Sequence, residues 1–308
     1  MSCQLPVAGS LSSVVGARRR GFTLTELMIS IAIIAILIAI LVPAVSKVRT
    51  RAQAAATAAQ IAALQSAIEA YNQTFRAYPG PLSNDDIIRG VSIQNVSGTI
   101  TMSENLVLGL LGGLRGTGNV FFFDDARNAV GPMSLNPNSP KRYPAFYSQS
   151  AGQLYTANTN FKDASGMSAK DSNIPEFVDR FTADPLPLLY LRARVGAPDV
   201  ISDGEQPQKQ YDVRQYRGYV GDSSSSPLVL GGKMQGSGST GLYNRGAPNA
   251  PFNPKGPNNA YPYFRNPSLS AGGTPTPYGK DSFILISAGP DRIYGTSDDI
   301  TTFGNPGQ

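Results

Sequence analysis

The sequence lacks the side chains on which most soluble-enzyme chemistry depends. Histidine is absent from the 308 residues, and cysteine occurs once, as Cys3. These absences exclude zinc sites built on histidine or cysteine, haem held by histidine, Ser-His-Asp triads and a disulfide within one chain. The sequence also contains no Gly-rich phosphate loop with its Lys and Ser or Thr. Carboxylate and lysine chemistry remain open to an enzyme of this composition.

Charged residues are few, at 15% of the chain, and the positive excess is concentrated near one end. Arg18, Arg19 and Arg20 account for three of the five net positive charges. The rest of the chain is close to neutral, so it offers no basic stripe long enough to follow a phosphate backbone. We therefore expect no binding to nucleic acid.

The longest hydrophobic run lies between Leu24 and Val45. As an α-helix it would rise about 33 Å, enough to cross a hydrocarbon core of about 30 Å. A plain transmembrane anchor is one interpretation, although basic residues on both sides leave its orientation open. A secretory signal peptide is another, because Val42, Ala44 and Ser46 offer a small-residue cleavage site. The run is longer than that of most signal peptides.

Glu26 is the only charged residue between Phe22 and Ser46. A carboxylate in a membrane helix costs about 2.5–3.5 kcal/mol near the centre and less near an end, so it should have a partner or a function. From the residues alone, two interpretations are open. Glu26 either pairs with a positive group in a low-dielectric environment, or lies at the headgroup level and stabilises the helix N-terminus.

The segment RRRGFTLTE and the apolar run after it resemble the leader and cleavage motif of type IV pilins and of the pseudopilins of type II secretion systems. The resemblance implies that residues 1–21 are a leader, that a prepilin peptidase cuts after Gly21, and that the new Phe22 amine is methylated. It places Glu26 at the fifth mature position. In a staggered filament, this carboxylate would meet the Phe22 amine of a neighbouring copy.

Apolar residues continue on one helical face beyond the hydrophobic run and predict a single stripe. The stripe comprises Ala54, Ala58, Ile61, Leu64, Ile68, Tyr71 and Phe75. We interpret residues 22–46 as the transmembrane and polymerisation helix and residues 47–80 as its amphipathic continuation. Pro43 should kink or loosen this helix, and the Tyr-Pro-Gly-Pro segment at 78–81 should end it.

The stripe needs a surface to pack against. We expect that surface to be a following globular head, with a two-chain coiled coil as the alternative. The segment AAQIAALQSAIEAYNQTFRAYP resembles the second half of the major-pseudopilin helix. The resemblance implies the lollipop shape of pilins and pseudopilins.

Residues 81–308 predict a β-rich head with long loops, because short apolar runs alternate with Gly, Pro, Asn and Ser clusters. The predicted strands lie at 91–102, 119–123, 188–194, 227–230 and 282–287. Ser103 should cap a short helix over 103–111, and the Gly- and Pro-rich stretch 221–280 should be extended loop. The predicted fold class is therefore α+β, with a long N-terminal hydrophobic helix packed on a C-terminal antiparallel β head.

Three carboxylates lie within nine residues near the C-terminus, on Asp291, Asp298 and Asp299. Oxygen ligands of this kind suit Ca²⁺, and Ser287 could add another, but a solvated acidic turn explains the residues equally well. The spacing is not that of an EF-hand. The order of strand, Gly, Asp and closing Asp pair resembles the calcium-binding loop of the major pseudopilin, which implies bound calcium. Arg292 departs from that pattern and would partly neutralise the site.

The resemblance implies a structural subunit of a pseudopilus in a type II secretion-like system, assembling through its methylated N-terminal helix. The alternative is a type IV pilus fibre or minor pilin used for adhesion, uptake or motility. The implied location is a single pass through the inner membrane with a periplasmic head. The implied partners are further copies in a filament, prepilin peptidase and the proteins of a secretion or pilus assembly system.

A membrane-anchored enzyme is the third hypothesis, and we expect the chain not to be one. The adjacent carboxylates at 85–86 and 124–125 are its only candidates for acid–base work. Adjacent acidic residues more often belong to turns, and on a strand their side chains point to opposite faces.

Overall fold

The structure is a computed structural model of the chain. It describes residues 22–89, 100–117, 120–123, 131–133, 141–150, 152–156, 174–181, 185–198, 201–202, 209–212, 264–266, 268–269, 276–292, 294 and 298–304. The chain divides into two compact units, Met1–Arg49 and Thr50–Gln308. A long N-terminal helix and small, mostly antiparallel sheets give the α+β fold class that the sequence predicts.

Three helices and nine short strands make up the described secondary structure. The helices are α1 (Leu24–Phe75), α2 (Asn84–Arg89) and α3 (Met102–Leu110). The strands are β1 (Leu114–Thr117), β2 (Val120–Phe123), β3 (Leu154–Thr156), β4 (Pro175–Phe177), β5 (Leu189–Arg192), β6 (Ile201–Ser202), β7 (Tyr211–Asp212), β8 (Phe283–Ser287) and β9 (Ile300–Thr301).

Helix α1 is 52 residues long and continues through Pro43. It ends at Phe75, before the Tyr-Pro-Gly-Pro segment that was expected to stop it. The residue after it, Arg76, has a φ of 55° and turns the backbone into the left-handed region. A left-handed residue directly after the last turn is a common way to end a helix, so the prolines that follow do not themselves break α1.

The part of α1 in the first unit has no buried face. Every side chain from residue 22 to residue 49 is exposed, although most of them are apolar. By its length and composition alone, this helix is able to cross a membrane. An apolar surface of this extent must be covered by lipid or by other protein, because water is an unfavourable environment for it.

In the second unit, α1 buries the predicted stripe from Ile61 onward. Ile61, Leu64, Ile68 and Tyr71 are each at most 4% exposed and belong to the hydrophobic core. The expected packing of the stripe on residues that follow it in the same chain is therefore found.

Nearer the N-terminus of α1, the buried side chains are not the ones that the predicted stripe contains. Ala58 is exposed, whereas Thr57 and Gln60 are buried. Gln60 Nε2 donates to the Val178 carbonyl oxygen at 2.8 Å, and the Arg180 amide donates to Thr57 Oγ1 at 3.0 Å. Hydrogen bonds to the backbone make polar side chains acceptable at buried positions, which a count of apolar residues does not detect.

A three-stranded sheet lies at the centre of the core, in the order β5-β8-β9 and antiparallel throughout. Its middle strand, β8, is buried at all five positions. Helix α3 packs on β4 and β5. The remaining strands form three two-stranded sheets, β1-β2, β3-β4 and β6-β7, of which only the last is parallel.

Several predicted elements correspond to observed ones with changed limits. Strands β2, β5 and β8 lie within the predicted runs 119–123, 188–194 and 282–287. The predicted strand 91–102 is wrong at its end, because Met102 begins α3, and its residues 91–99 lie outside the described residues. The cap of α3 is Thr101 rather than Ser103, since the Thr101 side chain and Glu104 form a reciprocal capping box. The run 227–230 and most of the stretch 221–280 lie outside the described residues.

The connection from α1 to α2 is held by Arg192 of β5. Its guanidinium donates to the carbonyl oxygens of Gly80 at 3.0 Å and Leu82 at 2.7 Å, and to Asn84 Oδ1 at 2.8 Å. Tyr190 of the same strand donates to the Pro79 carbonyl at 3.2 Å. Because a planar guanidinium can satisfy several acceptors at once, the central sheet fixes the path of the chain as it leaves the long helix.

We expect Ile68→Ala to lower the free energy of unfolding by about 2–5 kcal/mol, because Ile68 is completely buried between α1 and the rest of the second unit. The measurement is chemical denaturation of the purified full chain in detergent. Gln65→Ala, at an exposed position on the same helix, is the matched control and should change stability by less than about 0.5 kcal/mol. Equal losses in the two variants would contradict the packing described here.

Candidate functional site

The start of α1 holds the residues to which the sequence assigns processing and assembly. Phe22 is 79% exposed, and Glu26 lies in the first turn of the helix. Gly21 and the rest of the expected leader lie outside the described residues. Phe22 thus lies just before the helix, four residues ahead of Glu26.

Glu26 takes part in a reciprocal cap with Thr23. The Thr23 amide donates to Glu26 Oε2 at 2.9 Å, and Thr23 Oγ1 donates to the same oxygen at 2.8 Å. The Glu26 amide in turn approaches Thr23 Oγ1 at 3.3 Å. This is the capping-box arrangement, in which the residue before the helix and the third helical residue satisfy each other's backbone donors.

The cap fixes the position of the Glu26 carboxylate but does not use all of its capacity to accept hydrogen bonds. Both bonds from Thr23 end on Oε2, and a carboxylate accepts hydrogen bonds on both of its oxygens. Oε1 of the exposed Glu26 is therefore the atom suited to a further donor. The negative charge of Glu26 also lies at the positive end of the helix dipole and stabilises it. This is one of the two interpretations of Glu26 from the sequence, in which the residue stabilises the helix N-terminus.

Sequence reasoning missed Thr23 as part of this site. The pattern Thr-x-x-Glu directly before an apolar run is the signal that identifies a capping box, and residues 23–26 carry it. Glu26 is therefore a helix-capping residue whichever partner it has in an assembly.

The C-terminal loop between β8 and β9 contains the four predicted calcium ligands. Ser287 ends β8 and is fully buried, with its Oγ 3.5 Å from Asp179 Oδ2. The Asp291 amide donates to Asp298 Oδ2 at 3.0 Å, which closes the loop on itself. Asp299 is buried just before β9.

Gly289 permits the sharp turn after β8. It has a φ of 59°, and a Cβ at this position would lie 2.1 Å from the Asp298 carbonyl oxygen. Any side chain here would therefore collide with the returning limb of the loop, and only glycine fits.

Arg292 is the loop residue whose position the sequence did not predict. Its guanidinium is buried against Asp179, with Nη1 2.6 Å from Asp179 Oδ2. Burial raises the pKa of the Asp179 carboxyl, and the Arg292 charge opposes that shift. Burial and the nearby Asp179 raise the pKa of Tyr294 well above its usual value, so its phenol stays neutral and donates to the Pro187 carbonyl at 2.6 Å.

The described residues of the loop do not form a ready-made calcium site. Among the residues that the structure describes, no three His, Cys, Asp or Glu side chains are grouped closely enough to hold a metal ion. The Asp298 carboxylate receives a backbone amide, and Ser287 is directed toward Asp179. Calcium binding itself stays a prediction of the sequence.

The acidic pairs considered for catalysis have different surroundings. Asp86 accepts hydrogen bonds from the Ser83 amide at 3.1 Å and from Ser83 Oγ at 2.7 Å, as a residue in the first turn of a helix does. Asp85 forms an ion pair with Arg194. The pair at 124–125 lies outside the described residues.

The motif known as the prokaryotic N-terminal methylation motif matches residues 16–42. The motif indicates a type IV pilin-like protein. The match spans the expected cleavage point, Glu26 and most of the exposed apolar helix, and together with that helix it indicates anchoring in a membrane. It also implies processing by a prepilin peptidase and assembly into filaments. No curated protein and no solved structure matches this chain.

We expect Thr23→Val to loosen the first turn of α1, because valine provides no oxygen for the capping box. Loss of such a cap costs about 1 kcal/mol, so the amides of Glu26 and Leu27 should exchange roughly fivefold faster. The measurement is hydrogen exchange of the full chain in detergent micelles. Thr23→Ser, which keeps the hydroxyl, should retain the slower exchange, and equal rates in the two variants would contradict the capping role.

Proposed function

We propose that the chain is a structural subunit of a pseudopilus in a type II secretion-like system. In this proposal the chain is cut after Gly21, methylated on the Phe22 amine and polymerised through residues 22–46. The observation that carries the proposal is the capped Glu26 at the start of an apolar helix whose side chains are all exposed as far as residue 49. The methylation motif over the same residues supports it.

Assembly into a filament would cover the exposed apolar side chains of this helix. Contact with lipid or with other copies removes its apolar side chains from water, at about 25 cal/mol for each Å² that is covered. The same contacts place Glu26 in a low-dielectric environment, where an unpaired carboxylate is unfavourable and a paired one is tolerated.

The freed amine of Phe22 is the partner that fits Glu26. After cleavage, Phe22 would carry a positive charge one residue before the Thr23 cap, close to the positive end of the helix dipole. A cation at that place gains from a carboxylate beside it, and Oε1 of a neighbouring Glu26 offers one. The pair would set the register of the filament more than its strength, as buried polar pairs do in coiled coils.

The secretion role rests on the second half of α1. Its segment from residue 58 to residue 79 resembles the major-pseudopilin helix, and Leu64, Ile68 and Tyr71 within it are buried in the core. A surface pilus subunit is the alternative function. Co-purification with the proteins of a secretion complex would support the pseudopilus, whereas long surface fibres that contain the chain, seen by electron microscopy, would support the pilus.

Processing is tested on the protein isolated from its native membrane. We expect N-terminal sequencing to begin at Phe22, with a mass one methyl group above that of the unmodified mature chain. Gly21→Leu should leave the leader attached, because it replaces the residue at the expected cleavage point with a bulky one. Gly16→Leu, within the leader, is the matched control and should be processed normally. A native start at any other residue would refute the proposal.

Assembly is tested by Glu26→Ala. We expect the variant to enter the membrane fraction normally but to form no filaments, because the positive amine of each incoming copy would lack its carboxylate. Cross-linking between copies and electron microscopy measure the outcome. Glu69→Ala removes another carboxylate of the same helix and should assemble like the unchanged protein. Normal filaments from Glu26→Ala would contradict the pairing.

A further inference from the structure

The loop between β8 and β9 contains a buried cation, the guanidinium of Arg292. Arg292 is 8% exposed, and among the residues whose burial the structure describes it is the only buried lysine or arginine. Asp179, the carboxylate that it contacts, is also buried. Asp179 lies 113 residues away in sequence, so the contact is long-range.

The Arg292 guanidinium bonds to a carboxylate and to a backbone carbonyl. Its Nη1 donates to Asp179 Oδ2 at 2.6 Å and to the Gly289 carbonyl oxygen at 3.2 Å. The guanidinium also lies over the Phe181 ring, 4.9 Å from its centroid. The other oxygen of Asp179 accepts the amides of Phe181 at 3.2 Å and Leu186 at 3.4 Å, which fixes the carboxylate in place.

These are the kinds of oxygen atom that a calcium ion would take in a loop of this type: a carboxylate and a backbone carbonyl. We propose that Arg292 is the resident cation of the C-terminal loop and makes calcium unnecessary for its folding. It joins the turn after β8 to the segment after β4 through its bonds to Gly289 and Asp179. The proposal concerns the second unit alone and is independent of the filament role.

The backbone at Arg292 supports this assignment. Its φ is 64°, in the left-handed region, where glycine is much more favourable than arginine. Burial of its side chain against Asp179 and Phe181 compensates for the unfavourable backbone, because the alternative is to leave the Asp179 carboxylate buried without its cation.

The positions of the predicted calcium ligands also support the proposal. Asp298 Oδ2 accepts the Asp291 amide at 3.0 Å, and Ser287 Oγ lies beside Asp179 rather than among the loop aspartates. Asp298 and Ser287 therefore have hydrogen-bond partners within the protein.

The first test is thermal unfolding of the full chain in detergent, with millimolar CaCl₂ or with EGTA. We expect the same melting temperature in both conditions, because the cation of the loop is covalently part of the chain. A melting temperature that falls in EGTA and is restored by CaCl₂ would overturn the proposal.

The second test compares two arginines that share the same backbone conformation. Arg76, after α1, has a φ of 55° and an exposed side chain. Arg76→Gly should leave the melting temperature unchanged or raise it by a few degrees, because glycine relieves the backbone. Arg292→Gly relieves the backbone equally but leaves the buried Asp179 carboxylate without its cation. We expect this variant to lower the melting temperature by on the order of 10 °C.

An Arg292→Gly variant that melts at or above the unchanged protein would overturn the proposal. If that variant fails to fold, Arg292→Lys supplies the comparison, because lysine keeps the charge but loses the planar fork that spans Asp179 and Gly289. We expect Arg292→Lys to melt below the unchanged protein. Full stability of Arg292→Lys together with calcium-dependent melting would also contradict the assignment.

Discussion

The exposed apolar surface of α1 is the constraint on which the rest of this molecule depends. From residue 22 to residue 49 the helix buries nothing, so its own fold gives it no protection from water. Its chemistry is acceptable only in lipid or in contact with other copies. The motif that indicates a pilin-like protein lies on this surface, and both the anchoring and the proposed polymerisation follow from the need to cover it.

Further along the same helix, the apolar face is covered by the chain itself. Ile61, Leu64, Ile68 and Tyr71 contribute to a core that includes α3 and the central sheet. One continuous helix thus carries an uncovered apolar surface in one unit and a buried stripe in the other. The change follows the sequence: the run is apolar on all sides up to Val45, and polar residues separate the apolar ones afterwards.

Features set by local sequence were largely predictable. The hydrophobic run, the stripe from Ile61 and the strands now called β2, β5 and β8 follow from composition and periodicity. Features set by distant contacts were not. Gln60 is buried because it bonds to Val178, and Arg292 is buried because it meets Asp179, more than a hundred residues away in each case. No local pattern predicts such a partner, so the ion pair between Arg292 and Asp179 could not be predicted from the sequence.

Two capping boxes in this chain show how far a motif can decide function. Thr23 and Glu26 begin α1, and Thr101 and Glu104 begin α3, with the same Thr-x-x-Glu spacing. Glu104 is fully buried, and its Oε2 accepts the Thr101 amide at 2.8 Å as part of the core. Glu26 makes the same bonds at an exposed position. The motif therefore determines where each helix begins, whereas burial determines which carboxylate is accessible to a neighbouring chain.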